Sequence, residues 1–293
     1  MPKPNFLVIG GQKCGTTSLY HYLAQHPDVY VSPTKELRFF SEELDANGSV
    51  ALGNLNIADF NSYSAAFDGA DGANAIGEVS PSYLYYPGTA ARIRAALPDV
   101  KLIAILRDPV DRAFSEYWHH WKVGRRLDVD FSTFVRSEAL DAEPHVSDYQ
   151  DCIRRGLYYR QLMPFYDHFA RDRILVLLND DLQANPGAVI ERLFDFIDVD
   201  PSFRPDLSQS YGVGAVPERD YRFRVERLLE FVVNRLPMSE ADRVVRRRRM
   251  RRRLTTSKGT VPPSVREQLI PNFVDDVHRL ERLIDRDLSG WLR

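Results

Sequence analysis

The sequence is poor in cysteine and has no long apolar run, and both absences narrow the class of protein. Two cysteines, Cys14 and Cys152, stand far apart in a chain of 293 residues, so neither a disulfide framework nor a cysteine metal site is indicated. The apolar run Phe6–Ile9 is too short for a signal peptide, and no later stretch approaches the ~18 apolar residues of a membrane-spanning helix. We therefore expect a cytoplasmic protein in a reducing compartment.

A strong charge of one sign is also absent. The chain has 39 basic and 41 acidic residues, a net charge of −2, which gives no general attraction to nucleic acid. Hydrophobic residues make up 44% and charged residues 27%, as in globular proteins that bury a core. We find no internal repeat and predict a single domain over residues 1–293.

Short apolar runs alternate with helical patterns along much of the chain, which is typical of a three-layer α/β fold with a mostly parallel sheet flanked by helices. The run 101–106 (KLIAIL) is almost entirely apolar, as expected of a strand covered on both faces. Residues 218–257 are charged and irregular, and the C-terminal region 263–293 is predicted to form a long amphipathic helix that packs on the domain. We predict strands at 5–9, 28–32, 75–79, 101–106 and 173–178, and helices at 16–25, 88–97, 110–121 and 186–197.

The glycine-rich stretch GGQKCGTTS (10–18) carries the strongest chemical signal. Because it lies between a strand and a helix, it offers free backbone N–H groups and the positive end of the helix dipole to a phosphate. Gly10 and Gly15 have the spacing of a nucleotide-triphosphatase loop, but Thr16 stands where that motif has its lysine. The lysine lies inside the loop instead, as Lys13, where it is suited to neutralise charge on a bridging oxygen as a terminal group departs. A metal-dependent kinase or NTPase is the alternative.

A second anion site is indicated in the stretch LRDPVDRAFS (106–115). Arg107 follows the end of a strand, where open α/β sheets bind ligands, and a guanidinium chelates phosphate well. Ser115 on the following helix adds a hydroxyl donor. An Arg-Asp-Pro turn alone often makes only a local ion pair, but two phosphate sites on successive strand–helix turns support each other.

These two stretches resemble the 5′-phosphosulfate loop and the 3′-phosphate site of the sulfotransferases that use 3′-phosphoadenosine 5′-phosphosulfate (PAPS). Within that family the chain is most similar to the heparan sulfate branch and its bacterial relatives, from residue 5 to about residue 285. A third stretch, Lys258-Gly259-Thr260, is similar to the loop that closes over the nucleotide in that branch. The resemblance implies that the donor is bound by Lys13, Cys14, Gly15, Thr16, Thr17, Ser18, Arg107, Ser115, Lys258, Gly259 and Thr260.

The function implied by the resemblance is transfer of a sulfuryl group from PAPS, as co-substrate, to a hydroxyl or amine of a carbohydrate, glycolipid or other small acceptor. Adenosine 3′,5′-bisphosphate (PAP) is the second product, and no metal is required. Two other classes stay open on the residues alone, namely a phosphate-loop kinase or NTPase and a non-catalytic nucleotide-binding module.

Glu36 is the candidate general base. It opens a segment, Glu36 to Phe40, that resembles the Glu-x-x-Phe-Phe segment in which the heparan branch has its catalytic glutamate. The aromatic neighbours are expected to desolvate the carboxylate and to raise its pKa, as a base needs. The alternative is a surface ion pair of Glu36 with Lys35 or Arg38.

Glu78 is the second acidic candidate. It matches the family's Glu-Lys-[ST]-Pro-x-Tyr segment and is expected to face the same cleft, where it binds the acceptor or orients Lys13, with the base role as a second choice. Arg38 is assigned to the acceptor together with Glu36 and Glu78. Arg38 and Val79 stand where the heparan 3-O-sulfotransferases have a histidine and a lysine, so the heparan acceptor itself does not carry over.

His119 lies one helical turn after Ser115, so the two side chains share a helix face. The N-sulfotransferases have a functional histidine at this position, and the resemblance therefore makes His119 catalytic. A packing or surface role is the alternative.

Local positive charge is concentrated in Arg243–Arg253, which has eight arginines in eleven residues. Like charges repel, so the run is expected to be exposed. It is either a solvated helix or a surface that contacts an anionic glycan or an anionic membrane holding the acceptor. Nucleic acid is not indicated, because a supporting fold motif and interleaved aromatic residues are lacking.

Overall fold

A computed structural model describes residues 2–44, 50–52, 57, 59–122, 131–136, 152–208, 216–217, 231, 239, 242, 255–257 and 259–293. The predictions for Arg243–Arg253 and for Lys258 lie outside these residues. Within them, no helix has the length and apolar character needed to span a lipid bilayer.

The strands are, in chain order, β1 (Phe6–Gly10), β2 (Val29–Val31), β3 (Glu42–Leu44), β4 (Val50–Leu52), β5 (Ala75–Val79), β6 (Lys101–Leu106), β7 (Ile174–Leu178), β8 (Val216–Pro217) and β9 (Thr255–Ser257). The helices are α1 (Thr16–Leu23), α2 (Phe60–Ala65), α3 (Thr89–Ala96), α4 (Pro109–Lys122), α5 (Phe131–Arg136), α6 (Tyr158–His168), α7 (Asn179–Ala184), α8 (Pro186–Phe196), α9 (Pro263–Leu269) and α10 (Val274–Ile284). Short 3-10 turns lie at Arg154–Gly156, Arg171–Arg173, Ile270–Asn272 and Ser289–Leu292.

A sheet of five parallel strands forms the centre of the fold, in the order β2-β5-β1-β6-β7. All residues of β1 and all but the first of β6 are buried, so both faces of the sheet are covered, as is usual for parallel sheets. Gly77 of β5 is required by this pairing, because a Cβ there would lie 2.4 Å from the carbonyl oxygen of Phe6 in β1. These features confirm the predicted α/β fold with a mostly parallel central sheet flanked by helices.

The predicted strands coincide with β1, β2, β5, β6 and β7, and their ends differ by no more than about one residue, which is within the usual uncertainty of such boundaries. The sequence does not predict α6. Its segment YYRQLMPFYDH contains Pro164, which ordinarily ends or kinks a helix, yet the helix continues through that proline. The short antiparallel hairpin of β3 and β4 is also not predicted.

The C-terminal region differs from the predicted single helix. The 3-10 turn Ile270–Asn272 separates α9 from α10, because Pro271 has no backbone N–H with which to continue the hydrogen bonds of α9. Helix α10 packs against α6, where the Asp276 carboxylate accepts hydrogen bonds from the backbone N–H groups of Tyr159 (2.9 Å) and Arg160 (3.2 Å). The region therefore packs on the domain as two helices.

The loops that carry the candidate site leave the carboxyl ends of adjacent strands, where open α/β sheets bind ligands. The Gly11 N–H donates to the carbonyl of Ile105 in β6 at 2.7 Å, and the Glu36 N–H donates to the carbonyl of Val79 in β5 at 3.0 Å. Strand β1 lies between β5 and β6. The loops after β1, β2, β5 and β6 therefore converge on one edge of the sheet.

Candidate active site

The glycine-rich loop after β1 forms a phosphate cradle at the start of α1. Lys13 and Gly15 have left-handed backbone conformations, with φ of 66° and 108°. Gly15 is the N-cap of α1 and, as a glycine, has no side chain with which to cap the first-turn N–H groups, an arrangement that suits an anion. Thr16 and Thr17 add hydroxyls, and Lys13 is half-buried in the same loop. This donor set fits the phosphosulfate of PAPS.

Strained backbone is concentrated in the candidate site. Among the described non-glycine residues, those with a positive φ are Lys13, Glu36, Arg38, Asp198 and Asp285. The first three are predicted site residues. An L-residue in this region costs about 1–3 kcal/mol, and such strain is found most often at functional sites.

Helices α6 and α7 hold the loop in place. Asn179, the first residue of α7, donates its side-chain amide to the Cys14 carbonyl at 2.9 Å, and a Cβ on Gly15 would lie 2.8 Å from that amide nitrogen. The hydroxyl of Tyr158, the first residue of α6, lies 3.5 Å from Cys14 Sγ and donates to the Arg107 carbonyl at 2.8 Å. Burial raises the pKa of the Cys14 thiol and keeps it protonated at neutral pH, so a donor contact by Cys14 is expected from its backbone.

Of the predicted 3′-phosphate residues, Arg107 lies at the junction of β6 and α4, and Ser115 lies further along α4. The side chain of Arg107 is 27% exposed, and its guanidinium lies 3.8 Å from the Asp111 carboxylate. Asp108 caps α4 by accepting hydrogen bonds from the N–H groups of Val110 (2.8 Å) and Asp111 (3.0 Å). The aspartate of the Arg-Asp-Pro turn therefore starts the helix, and its arginine stays partly accessible at the strand end.

Glu36 forms two ion pairs in the loop after β2. Lys35 Nζ lies 2.7 Å from one carboxylate oxygen, and the Arg38 guanidinium lies 2.6 Å from the other. Burial raises the pKa of Glu36, but the two cations outweigh it, and the resulting pKa lies below the ordinary value. The expectation of a raised pKa is therefore wrong, because the neighbouring charges dominate over desolvation. The carboxylate is ionised at neutral pH, which is the form that accepts a proton.

Glu78 lies behind the Glu36 segment, and the expectation that it faces the cleft is wrong. Its side chain is 1% exposed, and burial raises its pKa even though three hydroxyls stabilise the ionised form. These hydroxyls, which donate to the carboxylate at 2.6–2.8 Å, belong to Tyr63, Ser80 and Tyr83. The Ser80 hydroxyl in turn accepts a hydrogen bond from the Arg38 N–H at 3.0 Å. The structure thus gives Glu78 a supporting position, and its binding of the acceptor stays a prediction.

The remaining predicted residues lie on α4 and just before α9. His119 is exposed on α4, one turn after the half-buried Ser115. Gly259 is half-buried and Thr260 is exposed in the segment that leads into α9. Their roles stay predictions.

The sequence does not identify Gln12, Arg155, Tyr158 or Asn179, all of which contact or form the phosphate loop. The Arg155 guanidinium donates to Gln12 Oε1 at 2.6 Å across a separation of 143 residues. Such a separation leaves no local pattern in a single sequence. The only available signal is that Gln12 belongs to the glycine-rich motif itself.

The fold is that of an α/β protein with a parallel central sheet. A lysine-bearing phosphate loop follows β1 and a partly accessible arginine follows the adjacent β6, which is an arrangement suited to a ligand with two anionic groups. The family follows from comparison with known proteins. The model of the sulfotransferase domain family matches residues 3–211, and the chain belongs to this family. The crystal structure of a sulfotransferase from Alicyclobacillus acidocaldarius is 32% identical, with 100% of both chains covered and a TM-score of 0.74.

Two curated proteins are also similar to the chain. The membrane-associated sulfotransferase kil1 of Dictyostelium discoideum is 25% identical in an alignment of length 273, and the match covers 67% of this chain and 56% of that protein. The human bifunctional heparan sulfate N-deacetylase/N-sulfotransferase 2 is 27% identical over 207 residues, which cover 68% of this chain and 22% of that protein. The chain thus spans only part of each. The predicted membership of the sulfotransferase family is confirmed by the family model and by the fold.

Proposed function

We propose that this chain transfers a sulfuryl group from PAPS to a hydroxyl or amine of a carbohydrate, glycolipid or other small acceptor. The observation that carries the proposal is the loop after β1, where Lys13 lies inside the phosphate cradle with a left-handed backbone and Thr16 replaces the lysine of a kinase loop. Similarity to a human heparan sulfate N-sulfotransferase supports a carbohydrate acceptor.

On the donor side, the N-terminus of α1 and the hydroxyls of residues 16–18 bind the 5′-phosphosulfate. Lys13 supplies positive charge for the bridging oxygen, which gains negative charge in the transition state. Arg107 and Ser115 bind the 3′-phosphate, and residues 258–260 close over the nucleotide.

On the acceptor side, Glu36 takes the proton. The acceptor oxygen or nitrogen forms a bond to sulfur while the bond from sulfur to the bridging phosphate oxygen breaks, and the electron pair of that bond leaves with PAP. The acceptor proton moves to the Glu36 carboxylate, which is ionised at neutral pH, although its lowered pKa makes it a weaker base than an ordinary glutamate. Arg38 is assigned to the acceptor side, Glu78 supports it from behind through the Ser80 hydroxyl, and His119 steadies the transferring group.

A metal-dependent kinase or NTPase is the competing function, and it calls for a lysine directly after Gly15, where this chain has Thr16. Isothermal titration calorimetry with PAPS, PAP and ATP, each with and without EDTA, separates the two. We expect the affinity for PAPS, and likewise the affinity for PAP, to be the same with and without EDTA. A preference for ATP that EDTA abolishes would contradict the proposal.

A non-catalytic binding module is tested by transfer rather than by binding. Sulfur-labelled PAPS is incubated with the protein and a panel of glycans, glycolipids and phenols, with the Lys13→Ala variant as control. Labelling of an acceptor by the wild-type protein alone is the expected result. Tight PAPS binding without labelling of any member of the panel would favour the binding module.

We also propose a cytoplasmic location and contact of Arg243–Arg253 with an anionic glycan or membrane. The location is supported by Cys14 and Cys152, which are buried and form no disulfide in the described part of the chain. One relative is called membrane-associated, so cell fractionation is the relevant test. The contact with a membrane is tested by flotation with vesicles that contain or lack anionic lipid. The wild-type protein is compared with a variant in which residues 246–249 are glutamine.

A further inference from the structure

We propose that Arg155 is a positioning residue of the donor site: through Gln12 it fixes the phosphate loop that carries Lys13. The inference rests on the proposed function, in which that loop binds the 5′-phosphosulfate. Arg155 lies in the 3-10 turn Arg154–Gly156, immediately before α6.

The contact with the loop is short and shielded. The Arg155 guanidinium donates to Gln12 Oε1 at 2.6 Å, and the Arg155 side chain is 3% exposed. A hydrogen bond from a charged donor is stronger than a neutral one, and exclusion of water strengthens it further. Gln12 immediately precedes Lys13, whose left-handed φ of 66° sets the course of the loop. Holding Gln12 therefore restricts the peptide from which Lys13 projects.

The guanidinium is itself held on its other sides. Its centre lies 4.4 Å from the Tyr85 ring and 5.7 Å from the Tyr86 ring, which is cation–π geometry. Its Nε lies 3.7 Å from the carboxylate of Glu116, a buried residue of α4. Arg155 is therefore fixed by the segment after β5 and by α4, and it offers a rigid support to the loop.

Neutralising Glu116 does not account for this arrangement. Glu116 already forms a hydrogen-bonded ion pair with Arg112, which is fully buried on the same helix. The contact of Arg155 with Glu116 is longer than its contact with Gln12. Glu116 also directly follows Ser115, the predicted 3′-phosphate residue. Arg155 thus links the two halves of the donor site, α4 on one side and the phosphate loop on the other.

The test compares two ligands that differ only in the group bound by the loop. Isothermal titration calorimetry measures the affinity for PAP and for adenosine 3′-phosphate, which lacks the 5′-phosphate. Both affinities are measured on the wild-type protein, on Arg155→Gln, on Gln12→Leu and on the double variant. We expect each single variant to weaken PAP binding ~10-fold or more, and to change binding of adenosine 3′-phosphate by no more than ~2-fold. Because both substitutions remove the same contact, the double variant should bind PAP about as weakly as the single variant that has the lower PAP affinity.

Tyr86→Phe is the matched control, because it removes a 3.4 Å hydroxyl contact of the same guanidinium and keeps the ring. It should change PAP binding by no more than ~2-fold. Gln12→Leu keeps the buried arginine and so tests the inference even if Arg155→Gln fails to fold. Three results would each overturn the inference. The variants could lose the same affinity for both ligands, the two losses of PAP affinity could multiply in the double variant, or PAP affinity could stay unchanged. Wild-type protein that binds neither ligand would contradict the proposed donor, and with it this inference.

Discussion

The carboxylate of Glu36 accepts a hydrogen bond from the guanidinium of Arg38 at 2.6 Å, and both residues have a left-handed backbone, with φ of 65° and 56°. Two strained residues separated by one position need support from their surroundings. The support comes from β5 and the segment after it, where the Val79 carbonyl accepts from the Glu36 N–H and the Ser80 hydroxyl accepts from the Arg38 N–H. The pair is thus part of how the loop after β2 is built.

Removing Arg38 should change the pH dependence of the reaction. In Arg38→Gln the pKa of Glu36 is expected to rise, because burial raises it and Lys35 alone remains to lower it. If Glu36 is the base, the acidic limb of the kcat/KM profile for sulfuryl transfer moves to higher pH. Lys35→Gln should act in the same direction, whereas Arg279→Gln, at an exposed position of α10, should leave the profile unchanged. An acidic limb that moves in neither loop variant would remove Glu36 from the base role.

Glu36→Gln and Glu78→Gln should differ in what they damage. Glu36→Gln is expected to lower kcat ~10²-fold or more and to lower stability less than Glu78→Gln does, because its two ion pairs are partly exposed to solvent. Glu78→Gln is expected to lower the free energy of unfolding by about 1–3 kcal/mol, because one carboxylate oxygen that accepts buried hydroxyls is lost. Initial rates and urea unfolding of both variants check this. Full activity in Glu36→Gln, with a loss in Glu78→Gln beyond its unfolded fraction, would move the base to Glu78.

Contiguous patterns are what the sequence predicts well. Strands β5 and β6 begin and end at the predicted residues, and the glycine-rich turn enters α1 as expected. What it does not predict depends on distant partners. The N–H of Arg38 reaches Ser80 across 42 residues, and Arg155 reaches Gln12 across 143. The sequence predicts the Glu36 pKa shift in the wrong direction, because that direction depends on the balance between burial and two nearby cations. The sequence shows that Lys35 and Arg38 are close along the chain, but it does not give their distances from the carboxylate.

Lys13 should matter for transfer more than for binding. Lys13→Ala is expected to lower kcat ~10²-fold or more, because the charge that develops on the leaving oxygen loses its counter-charge. The affinity for PAP should fall less, since the backbone N–H groups of the cradle remain. Lys101→Ala is the control, because Lys101 begins β6 at the opposite edge of the sheet, where its ammonium lies 2.6 Å from Asp198. If Lys13→Ala and Lys101→Ala lowered kcat equally, Lys13 would have no specific role in stabilising the leaving oxygen.

The stability that Asp276 contributes at the contact between α10 and α6 should fall as the pH rises. Burial raises the pKa of Asp276 to about 6, even though the N–H groups of Tyr159 and Arg160 favour the ionised form. The folded protein therefore binds this proton more tightly than the unfolded chain, in which the ordinary value is 3.8. The stabilisation is complete below that ordinary value and is lost as the pH rises through the folded-state pKa.

Relative to Asp276→Asn, the wild-type protein is therefore expected to lose up to about 3 kcal/mol of stability between about pH 4 and pH 7. Chemical denaturation of both proteins across this range measures the difference, and Asp275→Asn, at an exposed position of the same helix, is the control. The expected sign is specific, because a carboxylate with a lowered pKa would gain stability over the same range. A difference that is constant with pH would mean that Asp276 stays ionised, and that its two hydrogen bonds to α6 outweigh the cost of its burial.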